Sequence, residues 1–129
     1  MTNPKEDDRA ISYFSKAIEL GLNNDSLLFF YIGQLYFFKK EYDKAIKNFD
    51  KAISIYSGTN FFFFKGMALF YKGDMKEGLN CIEKAVEYEP NNQIYSNTLD
   101  GLKKIRVKHI GEKALWYSLD FLSKVLQNM

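Results

Sequence analysis

This sequence predicts an all-helical fold: a solenoid of antiparallel helix hairpins with about seven helices, in a single domain over residues 1–129. Three observations predict it. First, Gly33 and Gly66 are 33 apart, and so are Lys40 and Gly73, Ala45 and Gly78, Phe49 and Ile82, and Ala52 and Ala85. Small and aromatic residues recurring at such a period mark a stack of one supersecondary unit. Second, apolar residues between the breaks follow helical spacing. Third, the breaks carry turn chemistry: Asn23-Asn24-Asp25-Ser26, Ser57-Gly58, Lys72-Gly73-Asp74 and Pro90-Asn91-Asn92.

The elements follow in order. Over residues 5–20, Ala10, Ile11, Phe14, Ala17 and Ile18 form one stripe, with Asp7 and Asp8 near the N-terminus, where negative charge suits the helix dipole. Gly21 ends this helix. Ala10, Phe14 and Ala17 lie 35 before Ala45, Phe49 and Ala52, so the segment reads as the second half of a hairpin whose first helix is missing. That fits a natural half repeat or a piece excised from a longer array. Residues 26–58 form the next hairpin, with helices from Ser26 to about Lys39 and from Glu41 to about Tyr56; Asp43 and Lys47 make an i, i+4 pair. Residues 59–92 form another, turning at Gly73. Gly78 inside its second helix costs about 1 kcal/mol of helix propensity, which a close helix crossing explains. Residues 93–129 supply two C-terminal helices: Ile94, Thr98, Leu99, Leu102 and Ile105 mark the first, and a break is expected over Arg106–Gly111.

The central hairpins resemble the tetratricopeptide repeat. That family sets a large residue, Leu-Gly and Tyr on its first helix, then Ala, an aromatic, Ala and a closing Pro on its second. Phe29, Ile32, Gly33, Tyr36, Ala45, Phe49 and Ala52 match in one copy; Phe62, Gly66, Leu69, Ile82, Ala85 and Pro90 match in the next. Ser57 stands where the first copy would carry Pro, and Lys65 where an apolar residue is usual. The resemblance implies a right-handed superhelix whose first helices line a concave face. It also implies a non-enzymatic protein-interaction module or scaffold.

Under that resemblance the inward positions are Leu27, Phe30, Tyr31, Gln34, Phe37 and Phe38 in one copy, and Asn60, Phe63, Phe64, Met67, Phe70 and Tyr71 in the next. Phe29, Ile32, Tyr36, Phe62 and Leu69 are left to make the core. A groove lined by aromatics suits an apolar or amphipathic peptide segment, because aromatic side chains are the usual anchors of binding hot spots. A subclass of the family holds acidic C-terminal chaperone peptides in a clamp of Lys, Arg and Asn. Here only Gln34 and Asn60 are polar, so that clamp is not expected. The groove could instead be covered by the chain's own C-terminus.

Composition bounds the remaining classes. Hydrophobic residues make up 47% and charged residues 26%, a globular balance. A net charge of +2 does not argue for nucleic acid or a membrane surface as partner. One Cys and one His build neither a disulfide framework nor a metal cluster, and no cofactor is implied. The polar, acidic N-terminal stretch does not read as a signal peptide, so a reducing, cytoplasmic setting is expected. His109 sits among Lys103, Lys104, Arg106 and Lys108 and reads as part of a solvated basic run; Cys81 reads as structural; no carboxylate pair is arranged for acid–base work.

The last segment, 112–128, carries more apolar surface than an end cap needs. Leu115, Leu119, Leu122 and Leu126 make one seam, Ala114, Phe121 and Val125 lie beside it, and Trp116 and Tyr117 flank it. It suits either docking in the aromatic groove of the same chain or self-association into a homodimer, by groove exchange or by C-terminal helices, through Leu115, Trp116, Leu119, Leu122 and Leu126.

Overall fold

A computed structural model describes residues 3–128. Among them are six helices and no strand: α1 Pro4–Glu19, α2 Ser26–Phe38, α3 Tyr42–Ile55, α4 Thr59–Lys72, α5 Met75–Tyr88 and α6 Gln93–Gln127. Three helices start on side-chain caps. The Lys5, Leu27 and Tyr95 N–H groups donate to the side-chain oxygens of Asn3, Asp25 and Asn92 at 3.1, 3.0 and 3.2 Å. Pro4 stands at the start of α1, where its missing N–H removes no helix bond.

The hairpins α2–α3 and α4–α5 turn in the same way. Lys40 and Gly73, one period apart, both have positive φ, at 62° and 119°. Glycine takes that conformation freely, whereas lysine takes it at a cost that the neighbouring structure must offset. Inside each hairpin the crossing is set by glycine. A Cβ on Gly33 would lie 2.5 Å from the Phe49 ring, and one on Gly78 would lie 2.6 Å from the Gly66 carbonyl oxygen and 2.7 Å from the Phe70 nitrogen. The tight crossing expected from Gly78 is therefore present, and it involves backbone on both helices.

The core has two clusters. Phe29, Phe30, Ala45, Phe49, Ala52, Phe61 and Ala68 join α2, α3 and α4; Phe63, Phe70, Leu79, Ile82, Ala85, Tyr95, Leu99 and Leu102 join α4, α5 and α6. Phe64 packs against both. Ala45, Phe49 and Ala52 are fully buried, while their counterparts Ala10, Phe14 and Ala17 on α1 are half-buried. The difference is physical: α3 lies between α2 and α4, whereas among the described residues α1 packs chiefly on α2.

The C-terminal region departs from expectation. The break over Arg106–Gly111 is absent, and the two expected helices are one, α6, which brings the total to six. Gly111 is in helical conformation with nothing within 4 Å of a Cβ placed on it. A lone glycine weakens a helix but does not stop it, and no proline or cap residue adds to it here. The Asp43–Lys47 pair is also replaced: Asp43 reaches instead to Lys72 on α4, at 2.6 Å.

Candidate functional site

The expected groove divides in two. Phe30, Phe63 and Phe70 are buried, and they belong to the core, which corrects their assignment as groove-lining residues. Phe30 lies among Phe61 at 4.7 Å, Phe64 at 5.5 Å and Phe49 at 5.8 Å between ring centroids. Phe63 stacks on Tyr95 of α6 at 4.5 Å. Phe70 is the backbone against which Gly78 is pressed. Phe30 and Phe63 face the seam between successive first helices, where the neighbouring helix covers them; Phe70 lies at the crossing of α4 with α5. Conversely, Tyr36 and Phe62, expected in the core, are only half-buried. Lysine ammonium groups stand over their rings, Lys44 at 5.5 Å from Tyr36 and Lys84 at 4.8 Å from Phe62. Phe29, Ile32 and Leu69 are core, as expected.

What stays accessible is a strip across α1, α2 and α4. Leu27, Tyr31, Phe38 and Tyr71 are 43–50% exposed, Asn60 is exposed, and Gln34, Phe37, Phe64 and Met67 are half-buried. Rings follow one another along it: Phe14 to Tyr31 at 6.0 Å, Phe38 to Phe37 at 5.6 Å, and Phe37 to Tyr71 at 6.2 Å. Tyr42, on α3, stacks on Tyr71 at 6.2 Å and closes the row. At the α1 end the strip deepens into an open cleft of about 350 Å³, lined by Ala10, Phe14, Tyr31, Gln34, Leu35 and Phe38. Gln34 is its one uncharged polar side chain besides the Tyr31 hydroxyl. Such a cleft offers apolar area and an amide able both to donate and to accept.

Two lysines at the edge of the strip are paired. Lys39, at the end of α2, hydrogen-bonds to Asp8 of α1; Lys72, at the end of α4, meets Asp43 of α3 at 2.6 Å. The two pairs are one motif repeated, with the lysines 33 and the aspartates 35 apart. Each hydrogen-bonded aspartate raises its lysine's pKa above the ordinary value. Sequence reading missed these straps because each joins a second helix to the following first helix, far along the chain. Lys65, unusual for its position, is explained in the same way: its Nζ lies 2.6 Å from Asp50 Oδ1 on α3.

The other candidate residues are less organised. Cys81 is half-buried, and burial pushes its thiol pKa up, as suits a structural cysteine. Lys103 pairs with Glu83 at 3.5 Å, and His109 lines a shallow crevice with Arg106 and Lys113. Among the described residues no three His, Cys, Asp or Glu side chains stand together as a metal site, and no helix is long and apolar enough to cross a membrane. The seam expected for self-association, Leu115, Trp116, Leu119, Leu122 and Leu126, is exposed along its length on α6.

Comparison with known proteins agrees with this architecture. Two family models, both described as Tetratricopeptide repeat, match residues 26–58 and 59–92, which together make up just over half of the chain. A TPR repeat-containing protein of Methanocaldococcus jannaschii, MJ1428, is 28% identical over 83 residues, 64% of this chain but only 14% of that protein. Among solved structures, the first TPR of Spaghetti (RPAP3) bound to an HSP90 peptide superposes with a TM-score of 0.74 at 23% identity, covering 80% of this chain and 82% of that one. The second TPR domain of human RPAP3 in complex with an HSP70 peptide gives 0.70 at 24% identity, covering 77% and 82%. The first TPR domain of human RPAP3 gives 0.73 at 24% identity, covering 81% and 82%. The matched repeats and the glycine-set hairpins lead to one conclusion: this chain belongs to the tetratricopeptide repeat family.

Proposed function

We propose that this chain is a non-enzymatic interaction module that holds an apolar or amphipathic peptide segment of a protein partner along the α1–α2–α4 strip. One observation carries the reading: Leu27, Tyr31, Phe38 and Tyr71 stay exposed beside an apolar cleft, although the fold buries most of the other aromatic side chains of its first helices. Exposed aromatic rings in a row supply large contact area with little rotamer entropy to lose. The two structural neighbours with bound peptides hold the acidic sequences SRMEEVD and SGPTIEEVD, from HSP90 and HSP70. Here two of the cations at the edge of the strip, Lys39 and Lys72, are each held by an aspartate, while Lys40, beside Tyr42 and Tyr71, is in no ion pair among the described residues. To engage Lys39 or Lys72 an acidic peptide would have to displace those aspartates, whereas an apolar one would not.

Selection from a random-peptide display library tests the reading. Enriched sequences should carry aromatic or aliphatic residues at alternate or i, i+3/i+4 positions, and capture should be lost in a Tyr31→Ala/Phe38→Ala variant. Enrichment of acidic C-termini, retained by that variant, refutes it.

A second reading, self-assembly of the chain, is favoured by a separate observation. The outer half of α6 carries Leu115, Leu119, Leu122, Val125 and Leu126 in solvent, each 42–68% exposed. A cytoplasmic setting is compatible with both readings.

A further inference from the structure

The inner half of α6 docks on the body through Tyr95, Leu99 and Leu102, its buried residues. At about 100° per residue, the apolar positions beyond Val107 centre about 140° around the helix from that stripe. In the inner half, that side is polar, carrying Ser96, Asp100, Lys103 and Lys104. In the outer half it carries Ala114, Leu115, Ser118, Leu122 and Val125. Because α6 is uninterrupted, the outer half projects from the end of the stack and cannot fold back onto its own α1–α2 cleft. Among the described residues nothing covers its apolar face, which leaves that face open to a partner.

We propose that the partner is a second copy, with the two outer halves of α6 packed antiparallel and Ser118 on the two-fold axis. The proposal rests on the self-assembly reading and adds its geometry. Three features point to this arrangement. A parallel pairing along α6 would set Lys103 and Lys104 of each copy against their equivalents; antiparallel overlap confined to residues 107–128 keeps the inner halves apart. Antiparallel register about Ser118 also sets small against large: Gly111 faces Val125, Ala114 faces Leu122, and Ser118 faces itself. Small residues let helix backbones approach while the large ones fill the space between. Finally, Lys113, Asp120 and Lys124 lie on the opposite side of the helix, with Lys124 paired to Asp120 at 3.1 Å; Trp116 lies among them, which places it outside this interface. That mixed, nearly neutral face is unlike the Lys/Arg-rich face of a membrane-surface helix. Half the circumference of a helix about 10 Å across and about 30 Å long is about 500 Å², so two copies bury about 1,000 Å², near the lower bound for a specific interface.

The test is sedimentation equilibrium with the full chain, followed by disulfide trapping in a Cys81→Ser background. We expect a dimer in the micromolar range, weakened about tenfold or more by Leu122→Glu, with helicity retained because Leu122 is 53% exposed. Ser118→Cys should link to itself. Val125→Cys alone should not, since its equivalent lies about 21 Å away along the axis, but mixed with Gly111→Cys it should form a heterodimeric link. A monomer up to about 100 μM overturns both the geometry and the self-assembly reading. A dimer in which Val125→Cys links to itself as readily as Ser118→Cys, or in which Leu122→Glu has no effect, overturns the antiparallel geometry alone.

Discussion

Gly78→Ala and Gly101→Ala are the same chemical change in two helices, and the structure predicts opposite signs. Each removes a glycine from a helix interior, a gain of about 1 kcal/mol in helix propensity. At Gly101 nothing lies within 4 Å of the new methyl group, so the gain stands. At Gly78 the methyl meets Gly66 O at 2.6 Å, Phe70 N at 2.7 Å and Phe70 Cα at 3.0 Å. All three are backbone atoms and cannot rotate away, so α4 and α5 must separate. Overpacking typically costs about 1–3 kcal/mol, and backbone on both sides puts this case near 3. Net of propensity, Gly78→Ala destabilises by about 2 kcal/mol. With a urea slope of about 1.5 kcal/mol/M, the midpoint falls by about 1.3 M for Gly78→Ala and rises by about 0.7 M for Gly101→Ala. Urea titration followed by far-UV circular dichroism measures both. A Gly78→Ala protein as stable as the parent refutes the close crossing of α4 on α5, and with it the reason for the period-33 glycines.

Two further expectations follow from burial and charge. Phe49→Ala and Phe30→Ala, both core changes, should each cost about 3–5 kcal/mol, whereas Tyr31→Ala should leave the urea midpoint within about 0.5 M; a Phe30→Ala protein of parental stability would return Phe30 to the groove. In alkali, stability should fall. Lys39 and Lys72 hold their protons more tightly folded than unfolded because of Asp8 and Asp43, and Tyr95 does so chiefly because it is buried. A raised folded-state pKa gives stability that is complete below the unfolded value and lost as pH rises through the folded one, so the decline begins above about pH 9 with the half-buried Cys81 thiol, steepens above about pH 10, and is absent near neutrality. Melting temperatures recorded from pH 7 to 11 check this, and a flat profile contradicts it.

The hairpins were legible in the sequence because their determinants are local and periodic. Gly33, Gly66, Ala45 and Ala52 mark where helices must touch, and Gly73 marks where the chain must turn. The split between core and groove was less legible. Phe30 and Phe63 occupy groove positions in the repeat pattern, but whether such a residue sees solvent depends on the neighbouring helix, and here Phe61, Phe64 and Tyr95 cover them. The lysine–aspartate straps were hidden for a related reason, since Asp8 and Lys39 meet only once the helices stack. The continuous α6 shows the limit of break signals: the charged run ending in Gly111 resembled a loop, yet lysine and arginine are good helix formers and one glycine costs only about 1 kcal/mol.

If the exposed strip, and not the buried aromatics, holds a peptide, removing two exposed rings must weaken binding without disturbing the fold. Fluorescence anisotropy with one labelled peptide taken from the display selection tests it most directly, titrated with the parent chain and with Tyr31→Ala/Phe38→Ala at matched, verified helicity. The double variant should bind at least about tenfold more weakly than the parent, a loss of about 1.4 kcal/mol or more. Equal affinity for parent and variant would contradict it.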